Sequence, residues 1–220
     1  MTRTVVIGAN RGIGLELTRR FSARGDEVIA VCRDTSVELE RLGVEVRTSI
    51  DVGYDAAMAP LAHALDGRDI DILVHNAGIL TRETLDDLDF SRMRKQFEVN
   101  TLGPLRVVKA LLENLRQGSK VAIVSSRVGS MGDNGNGGNY GYRMSKSAVN
   151  MAGVNLSIDL KPRGIAVFLL HPGYVQTELT GGTGNVTADV SAKGLIERID
   201  TLDLSDTGTF WHAQGEQLPW

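Results

Sequence analysis

The feature that most constrains this fold is an alternation of short β-branched, apolar runs with longer stretches of helical periodicity. "RTVVIG" (3–8), "EVIAVC" (27–32), "VEVRTS" (44–49), "DILVHN" (71–76), "KVAIVS" (120–125) and "IAVFLL" (165–170) are brief and rich in Val and Ile. They lack strict polar–apolar alternation, as strands covered on both faces do. Between the first two runs, "GIGLELTRRFSARG" sets Ile13, Leu17 and Phe21 on one helix face and meets the stop signal Gly25. Longer helices are predicted over 88–116 and 142–161. Strand, helix, strand in steady succession predicts an α/β, Rossmann-type doubly wound parallel sheet with helices on both faces. No linker, repeat or charge block divides the 220 residues, so one domain over 1–220 is expected.

Charge and composition narrow the function. With 24 basic and 27 acidic residues the net charge is −3, and no basic stripe is present, which argues against nucleic acid or an anionic membrane as partner. Cys32 is the only cysteine, and His63, His75, His171 and His212 match no metal-ligand spacing, so no metal site is expected. No run reaches the ~18 apolar residues of a membrane span. The N-terminus passes directly into a strand, so a cytoplasmic protein is expected.

After the first strand, "GANRGIG" spaces Gly8, Gly12 and Gly14 as G-x-x-x-G-x-G. Such glycines let the backbone turn sharply and approach a pyrophosphate seated on the helix N-terminus. An NAD site usually ends its second strand with a carboxylate for the ribose 2′-hydroxyl. Here that strand ends "VCRD", and Arg33 together with Arg11 of the glycine loop presents two guanidinium forks suited to a 2′-phosphate. NADPH/NADP+ is therefore expected over NADH/NAD+, with Asp34 as the neighbouring carboxylate that could instead serve a free hydroxyl.

"YRMSK" holds Tyr142 and Lys146 four positions apart, one helical turn. A free phenol titrates near ~10, and a nearby cation favours the phenolate. Tyr140, six residues from Lys146, is expected to precede the helix and to pack or line a pocket. Of Ser125 and Ser126, strand alternation lets one face the pocket.

In order along the chain, "GANRGIG", "HNAG" (75–78), "EVNTLGP" (98–104), "VSSRVGS" (124–130), "YRMSK" (142–146) and "HPGYVQT" (171–177) resemble the short-chain dehydrogenase/reductase family. The resemblance runs from residue 4 to about residue 177. "YRMSKSAVN", "LHPGYVQTEL" and the ending "GEQLPW" resemble the sniffer-type carbonyl reductases and C-factor-like proteins within it. It implies that Tyr142 is the proton donor, that Lys146 supports it and binds the nicotinamide ribose, and that Ser126 orients the substrate oxygen. Asn100 would interrupt a helix and hold a relay water. Gly8, Asn10, Arg11, Gly12, Ile13, Gly14 and Arg33 would bind the phosphate side of the cofactor, and Asp51 and Val52 its adenine. Asn76, Ala77 and Gly78 would close over the adenosine. Pro172, Gly173, Val175 and Thr177 would cover the nicotinamide. His75 stands where the family often has asparagine and is expected to be structural.

The sixteen positions from Ser126 to Tyr142 exceed the family's common spacing, and the excess falls in the glycine-rich stretch 129–141. A second glycine-rich loop is expected over 178–190. After "HPGYVQT" 43 residues remain, so a short substrate-covering region and a permissive pocket for small aldehydes, ketones or quinones are expected. The alternative is a nucleotide-binding regulatory or signalling protein with little turnover. Nucleotide-sugar epimerases and dehydratases usually carry a longer C-terminal region. The family's common four-helix pairing, with the apolar residues of "AVNMAGVNLSIDL", leads to an expected homodimer.

Overall fold

In the computed structural model, which describes residues 1–220, the chain forms one fully parallel seven-stranded sheet. In chain order its elements are β1 (Arg3–Ile7), α1 (Gly12–Ala23), β2 (Glu27–Val31), α2 (Val37–Glu40), β3 (Glu45–Arg47), α3 (Met58–Ala64) and β4 (Ile70–His75). There follow α4 (Phe90–Phe97), α5 (Gly103–Ala110), β5 (Leu115–Val124), α6 (Tyr140–Leu160), β6 (Ala166–His171), α7 (Ala188–Thr201) and β7 (Thr209–His212). The strand order β3-β2-β1-β4-β5-β6-β7 reverses direction between β1 and β4. Ligands of open α/β sheets bind outside the strand ends at such a switch point.

The sheet separates two apolar cores of 21 buried residues each, so neither layer is subsidiary. Val5 and Leu73 join Val107 and Val149 in one, while their neighbours Val6 and Val74 join Phe21 and Leu195 in the other. Both faces are buried, which is why the strands carry no polar alternation. α1 and α7 pack together on the second face, and α6 runs over β6 on the first.

All six expected strands are present, and β5 starts five residues earlier than expected, at Leu115. The helix predicted over 88–116 is shorter and broken. It runs as α4, a π-helical turn at Glu98–Leu102, then α5, and it ends at Ala110. Pro104, in the first turn of α5, has no N–H to give the carbonyl of Asn100 four residues back. The wider turn accommodates that missing rung. α6 begins at Tyr140, two residues before the predicted start, so Tyr140 is on the helix rather than ahead of it. The loop predicted over 178–190 gives way to α7 at Ala188, whose N-cap Thr187 accepts from the Val190 N–H at 3.3 Å. β7 and the helices α2, α3 and α7 were not anticipated. No helix is long and apolar enough to cross a membrane.

Candidate active site

The glycine loop closes tightly on itself. Gly8 has φ +81°, and a Cβ at Gly14 would lie 2.0 Å from the Gly8 carbonyl oxygen, so no side chain fits there. Asn76 Nδ2 donates to that carbonyl at 3.0 Å and ties the segment after β4 to the loop. α1 then starts without a side-chain cap: Arg11 accepts nothing, and no acidic residue occupies the first turn. Its leading N–H groups are left for an anion, as a pyrophosphate seat requires. The cradle therefore fits a dinucleotide.

A cleft of about 450 Å³ opens over the ends of β1, β2, β4 and β5. Gly8, Asn10, Arg11, Gly12 and Ile13 form one end of it, and Arg33, Asp51 and Val52 line the wall beside them. Asn76, Ala77 and Gly78 form its floor, and Tyr142, Lys146, Pro172 and Thr177 its far end. Gly14, Asn100, Ser126, Gly173 and Val175 do not line the cleft. Gly14 supports the loop from beneath, and Val175 is buried in a bridge to Val186. Arg11 pairs with Glu178, and Arg33 lies 3.8 Å from Asp51. Asp34 is exposed and outside the cleft.

As expected, only one of the two serines lines the cleft, but it is Ser125 rather than Ser126. β5 ends at Val124, so strand alternation no longer governs Ser125 and Ser126. Ser125 lines the cleft and donates to Asn150 Oδ1 at 2.5 Å. Ser126 accepts from the Val128 N–H at 3.4 Å. Its hydroxyl acts on the Tyr142 phenol to lower its pKa, against the effect of burial.

The expected lowering of the phenol by Lys146 is also absent. Burial pushes the Tyr142 phenol up to about 12, with the Ser126 contact opposing it. Burial brings the Lys146 ammonium down to about 8. Desolvation dominates both groups, because each loses more water than it gains in compensating charge. Lys146 Nζ donates 2.9 Å to the Val124 carbonyl and sits 5.7 Å from the centre of the Tyr142 ring.

Asn100, on the π-helical turn, accepts from the Ile79 N–H at 2.8 Å and donates to the Ile79 carbonyl at 2.9 Å and to Ser145 Oγ at 3.0 Å. It lies directly behind Gly78: a Cβ there would be 3.4 Å from Asn100 Oδ1 and 3.8 Å from Lys146 Nζ. His75 is fully buried with Nε2 unpartnered, and desolvation pushes its imidazole down to about 3. Tyr54, Lys95, Glu98, Glu178 and Leu179 also line the cleft and were missed. They come from three separate segments: Tyr54 lies three residues after Asp51, Glu98 opens "EVNTLGP" and Glu178 and Leu179 end "LHPGYVQTEL", so only Lys95 lay away from a recognised motif.

Comparison with known proteins agrees with this geometry. The family model for short chain dehydrogenases matches residues 2–186. The 1-hydroxy-2-glutathionyl-2-methyl-3-butene dehydrogenase of Rhodococcus sp. (strain AD45) is 41% identical over 226 residues, covering 100% of both chains. The C-signal protein of Myxococcus xanthus is 45% identical over 154 residues, covering 69% of this chain and 93% of that one. Among solved structures, the carbonyl reductase Sniffer of D. melanogaster superposes with a TM-score of 0.88 at 27% identity, covering 100% and 99% of the two chains. Several of the similar solved structures hold NADPH or NADP. The chain belongs to the short-chain dehydrogenase/reductase family, as an NAD(P)H-dependent oxidoreductase.

Proposed function

We propose that the protein reduces small aldehydes, ketones or quinones with NADPH, and that Tyr142 gives the proton to the carbonyl oxygen. The observation that carries this reading is that Tyr142 and Lys146, one helical turn apart with the ammonium 5.7 Å from the ring centre, both line the far end of the cleft. Bound NADPH supplies the hydride to the carbonyl carbon. A phenol at about 12 is protonated throughout neutral pH, which suits a donor and so the direction of reduction. Ser126 orients the substrate oxygen beside it. Lys146, at about 8, can return a proton to the phenolate, fed by a water held at the Asn100 irregularity. Arg11 and Arg33 bind the 2′-phosphate and give preference for NADPH; Asp51 and Val52 receive the adenine. Pro172 and Thr177 cover the nicotinamide, backed by Gly173 and Val175 of the same segment.

The lone, buried Cys32 suits a cytoplasmic setting. Exposed Leu102, Met151 and Ile158 supply an apolar surface on the α5–α6 side for pairing two copies. Similarity to C-signal favours one second reading, a nucleotide-binding regulator with little turnover. NADPH consumption across aldehydes, ketones, diketones and quinones, with an NADH arm and Tyr142→Phe, separates the two. A reverse arm with NADP+ and a thioether-bearing alcohol tests the chemistry named for the Rhodococcus relative. Carbonyl-dependent turnover lost in Tyr142→Phe supports the reductase; tight NADPH binding without turnover on any arm supports the regulator.

A further inference from the structure

A buried carboxylate outside the family's motifs stands against the helix that carries Tyr142. Glu83 is 1% exposed and lies between β4 and α4. Its Oε2 accepts from the Gly141 N–H at 3.2 Å, and its backbone carbonyl accepts from the Asn139 N–H at 2.8 Å. Oε1 accepts from the Thr81 hydroxyl and from Gln96 Nε2, the latter at 3.2 Å. Asn139, the N-cap of α6, has φ 48° and places no side chain on the helix's free N–H groups. Glu83 caps the 21-residue helix from another segment, where a negative charge is favoured by the helix dipole.

Three donors converge on this side chain, and an acceptor-only carboxylate satisfies all three. An amide in its place would turn an NH2 group toward the Gly141 or the Gln96 donor. Gln96 is itself fully buried and accepts from the Thr81 N–H at 3.1 Å. It sits so close to α6 that a Cβ on Gly141 would lie 2.2 Å from its Nε2. One turn further, Asn100 holds Ile79 by both backbone groups. Segment 79–83 is thus fixed at both ends and in turn fixes the first turn of α6, where Tyr142 follows Gly141.

We propose that Glu83 is a positioning residue for carbonyl reduction: by holding the Gly141 N–H it sets where the Tyr142 phenol stands relative to Ser126. This inference rests on Tyr142 as the proton donor. The test compares wild type, Glu83→Gln and the exchange variant Glu83→Gln/Gln96→Glu, which returns a carboxylate to the same cluster. The readouts are kcat and KM for NADPH-dependent reduction of 9,10-phenanthrenequinone, NADPH affinity by fluorescence, thermal melting, and amide hydrogen exchange at Gly141. Glu83→Gln is expected to lower kcat about 10- to 100-fold, within the range for a misplaced general acid. NADPH affinity should stay within about twofold while Gly141 exchanges at least about tenfold faster. The exchange variant should regain most of the kcat. Unchanged kcat and Gly141 exchange in Glu83→Gln would overturn the proposal, as would a loss shared equally by NADPH affinity. So would a Glu83→Gln protein that does not fold, if the exchange variant folds yet regains no turnover. A wild type without turnover on any carbonyl would sink the reductase reading alone. The Gly141 exchange rate would still decide whether Glu83 holds that turn.

Discussion

Lys146 Nζ points its hydrogen bond at the Val124 carbonyl, 2.9 Å away, while the centre of the Tyr142 ring lies 5.7 Å from it. The lysine is thus braced on the sheet, beside the phenol rather than bonded to it. Reduction needs a protonated phenol and a protonated lysine to refill it, and both are lost as pH rises. With Lys146 at about 8 and Tyr142 at about 12, kcat for carbonyl reduction should be level from pH 6 to 7.5 and decline above about 8. Lys146→Met should lower kcat by about 100-fold and remove that first decline. A stopped-flow pH profile of both proteins reads this directly.

Arg11 and Arg33 each face a carboxylate partner, Glu178 and Asp51, that a 2′-phosphate would have to replace. Arg11→Ala and Arg33→Ala should each weaken NADPH binding about tenfold, close to the ~1.5–3 kcal/mol of a charge-assisted hydrogen bond. NADH binding should change less than twofold. Cofactor titrations by fluorescence would show it, and equal losses for both cofactors would count against a 2′-phosphate site.

His75 couples the fold to pH. Its imidazole ionises near 6.5 in the unfolded chain and at about 3 in the folded one. Between those values the unfolded state binds the extra proton, so stability is full above about 6.5 and falls as pH drops toward 3. At pH 5 the loss is about 2 kcal/mol from this residue. Urea melts at pH 7 and pH 5 should show that difference shrinking by about that amount in His75→Asn. An unchanged difference would mean the imidazole is charged in the folded protein.

Met151 and Ile158 are 63% and 64% exposed on α6, seven residues apart and so on one side of the helix. If two copies pair there, Met151→Glu should shift the mass seen by sedimentation from dimer to monomer at micromolar concentration. A wild type that sediments as a monomer rules the pairing out.

Much of the fold was legible because buried parallel strands announce themselves by composition alone. β7 did not, since "TFWH" offers four residues at the sheet edge with Trp211 and His212 only partly buried. α7 was hidden by its polar start, where Thr187 rather than an apolar face marks the turn into helix. The glycine cradle and the Tyr142–Lys146 pair were legible because they need particular residues at short range. Which serine lines the cleft was not legible, because β5 stops at Val124 and Ser125 rather than Ser126 faces inward. Glu83 gave no local sign, and the pairing of Glu178 with Arg11 gave none either, as the partners are 58 and 167 positions apart.

The two equal cores lie on opposite faces of the sheet, with α1 in one layer and α6, which carries Tyr142, in the other. The cleft touches both, from Arg11 and Ile13 on one side to Tyr142 and Lys146 on the other. A dinucleotide lying along it would act as a cross-brace between the two separately packed slabs. Cofactor supply then governs lifetime as well as turnover: cofactor at a hundred times its Kd adds about 2.7 kcal/mol of resistance to unfolding. Protein without cofactor would lack that increment as well as being idle.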